Sequence, residues 1–227
     1  PLSPTFFIHP LDRARSDRIG AFAEASAALG VVDAELGLRV DRHGASTEVP
    51  RFGPGVPMGP ANLARTFANA DREWSGTSID AALRLSADFG DVTPRFTLAH
   101  KTRAPSLVER FAWLPTEASG GLADGNIYVG SPALKIEKAW LFEAGFDWNA
   151  ETAYARPLVY YRRLDDFIQG VPFDVTPGVL DTPVEMVSSA SGDSTPLRFA
   201  NVDAEIYGAD IAFGTRLVGP LRLDGVA

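Results

Sequence analysis

The chain has 227 residues, 45% of them hydrophobic, a formal net charge of −8 and no cysteine. No window approaches ~18 consecutive apolar residues, which excludes a transmembrane helix, and the missing cysteines exclude disulfides and thiolate metal sites within these residues. No basic stripe offsets the negative balance, so nucleic acid is not expected as a partner.

Taken in chain order, the elements follow a loop-like opening at Pro1-Leu2-Ser3-Pro4. Between 18 and 29, Ile19, Ala21, Ala23, Ala25, Ala27 and Leu29 share one face, with Glu24 and Ser26 on the other. Past Gly30-Val31 the alternation resumes, with Val32, Ala34, Leu36, Leu38 and Val40 against Asp33, Glu35, Arg39 and Asp41. Strict i, i+2 spacing is the period of a strand and not of a helix, so these two segments predict a hairpin. A third strand sets Ile79, Ala81, Leu83, Leu85, Ala87 and Phe89 against Asp80, Arg84, Ser86 and Asp88. A turn around Gly90-Asp91 leads to a fourth, over about 94–102, with Phe96 and Leu98 opposite Arg95, Thr97 and Lys101. Next come Trp140, Phe142, Ala144, Phe146 and Trp148 against Glu143, Gly145 and Asp147. A turn at Asn149-Ala150-Glu151 opens a strand over about 152–168. Another, over about 198–217, puts Tyr207, Ala209, Ile211, Phe213 and Leu217 opposite Asp210 and Arg216. After Val218-Gly219-Pro220 an eighth strand begins; with the abrupt start and end, this predicts an excerpt of a longer protein.

The connections alternate in length. Turns near 30, 91, 150 and 219 are tight, whereas 43–75, 103–138 and 169–197 each span about 30 residues, longer than compact soluble domains usually carry. Tight turns on one side and long loops on the other are what a transmembrane barrel requires. The strands also exceed the usual soluble length. Trp140 and Trp148 end one apolar face roughly 25 Å apart at strand rise, which suits two interfacial girdles. A soluble β-sandwich is the competing reading, with Trp140, Phe142 and Phe146 filling its core. The loop alternation favours the barrel. The predicted class is all-β: part of an antiparallel up-and-down transmembrane barrel, with long loops on one side of the membrane and short turns on the other.

Several segments then read as landmarks. Thr102-Arg103-Ala104-Pro105-Ser106-Leu107-Val108-Glu109-Arg110-Phe111 resembles the R-A-P-S-x-x-E-x-F segment of TonB-dependent outer-membrane receptors. Gly130-Ser131-Pro132-Ala133-Leu134-Lys135-Ile136-Glu137-Lys138 is similar to that family's G-N-P-x-L-x-P-E, with Ser131 for Asn and Ile136 for Pro. Glu143-Ala144-Gly145 opens the following strand. Tyr161-Arg162-Arg163-Leu164-Asp165-Asp166-Phe167-Ile168 resembles F-Y-x-x-x-D-D-F-I, and Asn201-Val202-Asp203-Ala204-Glu205-Ile206-Tyr207-Gly208-Ala209-Asp210 resembles N-x-D-x-A-x-x-x-G-x-E, with Asp210 for Glu. The ordered set covers about half of the chain. Within the family, residues 113–125 and Ile168-Gln169-Gly170 look most like the copper-receptor branch. The resemblance implies a barrel of about 22 strands with long extracellular loops and short periplasmic turns, plugged by an N-terminal domain, of which seven to eight strands are present. Plug domain, signal peptide, energy-coupling box and C-terminal strands would then lie outside residues 1–227. The implied partners are outer-membrane lipid, the receptor's own plug and the TonB complex, in the outer membrane of a Gram-negative bacterium.

The candidate ligand-binding residues are Trp113, Arg103 and Glu109. Arg103 and Glu109 flank a proline at a strand top, where they would contact ligand or pair with each other to organise the loop base. Trp113 would face ligand or anchor one loop on another. Thioether and imidazole groups suit copper; His9, His43, His100, Met58 and Met186 are the full set, with His43, Met58 and His100 the metal candidates, although no H-x-H or M-x-x-M cluster occurs. Asp165 and Asp166 would bind a cation or pair with Arg162 and Arg163. There is no G-x-G-x-x-G after a strand, no P-loop and no G-x-S-x-G, so no enzyme is expected, and no cofactor beyond a transported metal ion. The function expected is TonB-dependent uptake of a metal or metal complex, copper before a siderophore-type ligand. A passive porin or adhesin-like barrel is the alternative, and a secreted soluble β-sandwich binding module the more distant one.

Overall fold

The computed structural model describes residues 7–116, 124–219 and 221–227. The strands are β1 (Arg15–Leu29), β2 (Val32–Ser46), β3 (Glu73–Ala87), β4 (Val92–Arg103), β5 (Tyr128–Val129), β6 (Glu137–Asn149), β7 (Ala153–Pro172), β8 (Leu197–Val218) and β9 (Leu221–Val226). The helices among the described residues are α1 (Met58–Ala68), α2 (Leu107–Phe111) and α3 (Pro183–Ala190). All strands join one open sheet. It is an antiparallel meander in the order β1-β2-β3-β4-β6-β7-β8-β9, and the short β5 adds parallel to β8 at Leu197 and Arg198.

Register follows from the alternation, because slipping by one residue would turn a whole strand inside out. Ala25 lies opposite Leu36, Leu36 opposite Leu83, and Leu83 opposite Leu98. The line continues from Leu98 to Phe142, Tyr161 and Tyr207. One face is therefore apolar across seven strands. That face is bare: Trp140, Phe142 and Phe146, which a sandwich would bury, are 43%, 40% and 41% exposed. An apolar surface this extensive is not left to water by a soluble protein. Two of the tight turns rest on glycines in the left-handed region, Gly30 at φ +68° and Gly90 at φ +80°, where an L side chain would be strained.

The largest buried cluster lies in the long connections. It joins Leu63, Ala64 and Phe67 of α1, Phe111, Trp113, Leu114 and Val129 of the second loop, and Val184 and Val187 of α3. Here the structure adds to the expectation of plain loops, since each long connection carries a helix. α2 and α3 start on capping boxes, Ser106 with Glu109 and Thr182 with Glu185, each satisfying otherwise orphaned amides. β7 and β8, at 20 and 22 residues, continue past the apolar belt to support these loops.

Candidate functional site

The loop bases are built where the sequence landmarks converge. β4 ends at Arg103, and Pro105 has no amide to extend a ladder. The chain turns into α2 through Ser106, whose amide donates to Glu109 Oε2 at 2.7 Å. The Arg103 guanidinium donates to Glu109 at 2.9 Å and to Glu137 at 2.9 Å. Glu137 also accepts the Ile168 amide at 3.1 Å. This network ties together the ends of β4, α2, β6 and β7. Partial burial works against the Arg103 charge, but the Glu137 and Glu109 carboxylates outweigh it and raise its pKa.

Arg110 is fully buried. It donates to the carbonyls of Pro132 and Leu134, and its guanidinium lies 4.2 Å from the centre of the Trp74 ring. Burial lowers its pKa to about 10, partly opposed by Asp71 and Glu109, so it stays charged at neutral pH. Beyond it Trp113, 5% exposed, stacks on Phe67 with ring centres 6.3 Å apart, and Phe67 meets Phe111 edge-on. The structure places Trp113 between the loops, inside their shared core.

The other landmarks fix the same junction. A Cβ on Gly130 would lie 2.7 Å from the Ala112 nitrogen, so only glycine permits this backbone approach. Asp166 sits at φ +58° in a bulge between Leu164 and Phe167, which bends the strand. Its carbonyl accepts from Asn201 Nδ2 at 2.6 Å, and Asn201 Oδ1 accepts the Lys135 amide at 2.9 Å. Asp165 pairs with Arg163 at 3.1 Å and Asp166 with Lys135 at 3.3 Å.

The metal candidates fall in separate places. His43 is on the charged face, its Nε2 2.9 Å from Ser78 Oγ. His100 is on the apolar face, its ring 4.9 Å from Trp140 and its Nδ1 2.9 Å from the Ile79 carbonyl oxygen. Met58 opens α1 in the first loop and is exposed. The structure instead gathers Asp174, Asp181 and Glu185, whose carboxylate oxygens lie within 4.8 Å of one another. Sequence reasoning missed this trio, because spacings of seven and four residues match no metal-ligand motif.

The second face of the sheet carries ion pairs: Arg18 and Arg39 on Asp41 at 2.7 and 2.6 Å, Arg95 on Asp147 at 2.6 Å, and Arg162 on Glu143 at 3.4 Å. Glu24, Glu35, Arg39, Asp80, Arg84 and Lys101 line a groove of about 610 Å³ on it.

A bare apolar face, a charged opposite face, tight turns at one end and long loops at the other define a sector of a transmembrane β-barrel. Residues 2–226 match the family model described as TonB dependent receptor-like, beta-barrel, and the chain belongs to that family of Gram-negative outer-membrane proteins. Solved structures agree on the fold. The copper transporter OprC aligns over 94% of this chain and 28% of its own, at 20% identity and a TM-score of 0.65. The hemophore receptor HasR of Serratia marcescens, solved with its hemophore HasA and heme, aligns over 89% of this chain and 32% of its own, at 14% identity and 0.59. The FrpB iron transporter of Neisseria meningitidis, F3-3 variant, aligns over 92% and 25%, at 16% identity and 0.57. The chain thus spans less than a third of the length of these proteins. No curated protein matches the sequence.

Proposed function

We propose that this chain forms part of the wall and extracellular gate of a receptor that takes up a metal or metal complex, with copper favoured and a siderophore-type ligand next. The observation that carries the cationic preference is the third loop. Between β7 and β8, over residues 173–196, it holds Asp174, Asp181, Glu185 and Asp193 and no Lys, Arg or His. An uncompensated acidic loop raises the local concentration of cations and repels anionic complexes. The preference for copper rests on the resemblance of residues 113–125 and 168–170 to the copper-receptor branch; OprC, described as a copper transporter, adds likeness of fold.

In this reading the apolar face meets lipid and the charged face meets the receptor's plug. Coupling to the TonB complex runs through an N-terminal segment outside these residues. Arg103, Glu109 and Trp113 serve the ligand by holding the loops in place. His43, Met58 and His100 do not converge, so copper ligands would come chiefly from the plug and other loops. No bond in the substrate is made or broken; ligand binding shifts the population of plug conformations.

The test is uptake of radioactive copper by cells carrying or lacking the full-length gene, with and without an uncoupler of the inner-membrane proton gradient. Receptor-dependent uptake that the uncoupler abolishes is expected. Uptake that survives the uncoupler would indicate a passive pore. No copper uptake would remove copper, and ferric siderophore uptake in the same cells would then be measured.

A further inference from the structure

The wall is split at its extracellular end. The β3–β4 ladder runs only from Ala81–Ser86 against Arg95–His100, whereas β2–β3 pairs Val32–Ser46 with Glu73–Ala87 throughout, and β4–β6 pairs Val92–Arg103 with Glu137–Trp148. Above Ala81 and His100, side chains replace ladder bonds. The Thr102 amide donates to Asp80 Oδ1 at 2.7 Å, its hydroxyl donates to the same oxygen at 2.6 Å, and His100 Nδ1 lies 2.9 Å from the Ile79 carbonyl oxygen. Higher still, Ile136 packs at Gly76, where a Cβ would lie 2.9 Å from its Cδ1, and Arg110 covers Trp74.

The loops sort onto the two sides of this split. On one side, residues 7–13 are stitched to the first loop. His9 N donates to Arg51 O at 3.1 Å, Glu48 N to Asp12 O at 2.9 Å, and Arg51 Nη2 to Asp12 Oδ1 at 2.7 Å. On the other side, the second and third loops share backbone bonds. Leu197 N donates to Ile127 O at 2.8 Å, Ile127 N donates to Asp193 at 3.0 Å, and β5 pairs with β8. Among the described residues the two groups meet by side-chain packing: Leu63, Ala64 and Phe67 against Phe111, Trp113 and Val187, with Gly59 against Val187 and Arg110 over Trp74. Apolar packing separates and re-forms without breaking directional bonds, whereas each group is held internally by backbone hydrogen bonds.

We infer that the extracellular cap is a two-leaf door. One leaf is the first loop on β1–β3, and the other is the described parts of the second and third loops together on β4–β8. The hinge is the split between β3 and β4, pinned by Asp80 and His100. The door rests on the chain being receptor wall and is independent of which metal is carried.

The test labels single cysteines in the full-length receptor on intact cells with a membrane-impermeant maleimide, and needs no substrate. Ala64→Cys lies on the mating face and Ala112→Cys lies within one leaf; the parent residues are almost equally buried, at 2% and 1% exposed. The door predicts that Ala64→Cys reacts at least about ten times faster than Ala112→Cys. It also predicts that adding Gly59→Cys and Val187→Cys and oxidising the pair across the mating face removes this advantage, which reductant restores. Equal rates at the two positions, or an advantage that survives the cross-leaf disulfide, would overturn it. If the Ala64 variant reacts fast because its loop is misfolded, the disulfide will not slow it, and that result also counts against the door.

Discussion

Leu85→Arg in the full-length receptor is expected to abolish assembly in the outer membrane, while Ser86→Arg, one residue on, leaves the receptor assembled. Leu85 lies on the apolar face between Ala34 and Phe96, and Phe96 is midway along the apolar run of β4. A cation near the middle of the bilayer on a lipid-facing position costs about 2–4 kcal/mol. Ser86 has the opposite orientation, between Asp33 and Arg95, where polar side chains already face one another. The amount of heat-modifiable receptor recovered in the outer-membrane fraction separates the two variants. Recovery of Leu85→Arg at the level of the parent protein would mean that this face does not meet lipid.

The second large effect belongs to the cap. Trp113→Ala removes the ring that stacks on Phe67 and fills the space shared by all three loops. Truncating a buried aromatic to alanine costs about 3–5 kcal/mol. That loss is expected to stay local, because the strands are paired by backbone ladders below Ala81 and His100 and the cap cluster reaches the wall at upper strand ends, at Ala45 and Trp74. Protease added to intact cells should cut the loops of Trp113→Ala much faster than those of the parent, with heat-modifiability of the barrel unchanged. Trp113→Phe, which keeps most of the apolar volume, should fall between them. Unchanged loop cleavage in Trp113→Ala would show that the cap is held by something other than this core.

The strands were legible because a half-exposed strand must alternate, and most of the long ones do. Face assignment followed directly, and the registers agree with it from Ala25 to Tyr207. α1 went unread because Pro57 gives its start no side-chain cap; α2 and α3 were not read, since a segment of five or eight residues is too short for a helical period to stand out. Their capping boxes, Ser106 with Glu109 and Thr182 with Glu185, were the available signal. The landmark segments were recognisable as text, but their purpose was not. That Asn201 binds the backbone of Lys135 and Asp166, or that Arg110 reaches Pro132 and Leu134, depends on contacts between distant parts of the chain. Trp113 illustrates the same limit: local pattern marked it as an anchor or a ligand contact, and its stacking partner comes from another loop, at Phe67.

A cysteine scan along β6 from Trp140 to Trp148, in the full-length receptor in its native membrane, tests directly whether this sheet is outer-membrane wall. Each position is challenged with a lipid-soluble thiol reagent and with a water-soluble one. A barrel wall predicts a period of two: positions 140, 142, 144, 146 and 148 react from the lipid phase, and 141, 143, 145 and 147 do not. Absence of that alternation, or equal access of the water-soluble reagent to positions 142, 144 and 146, would contradict the assignment of this sheet to the outer-membrane wall.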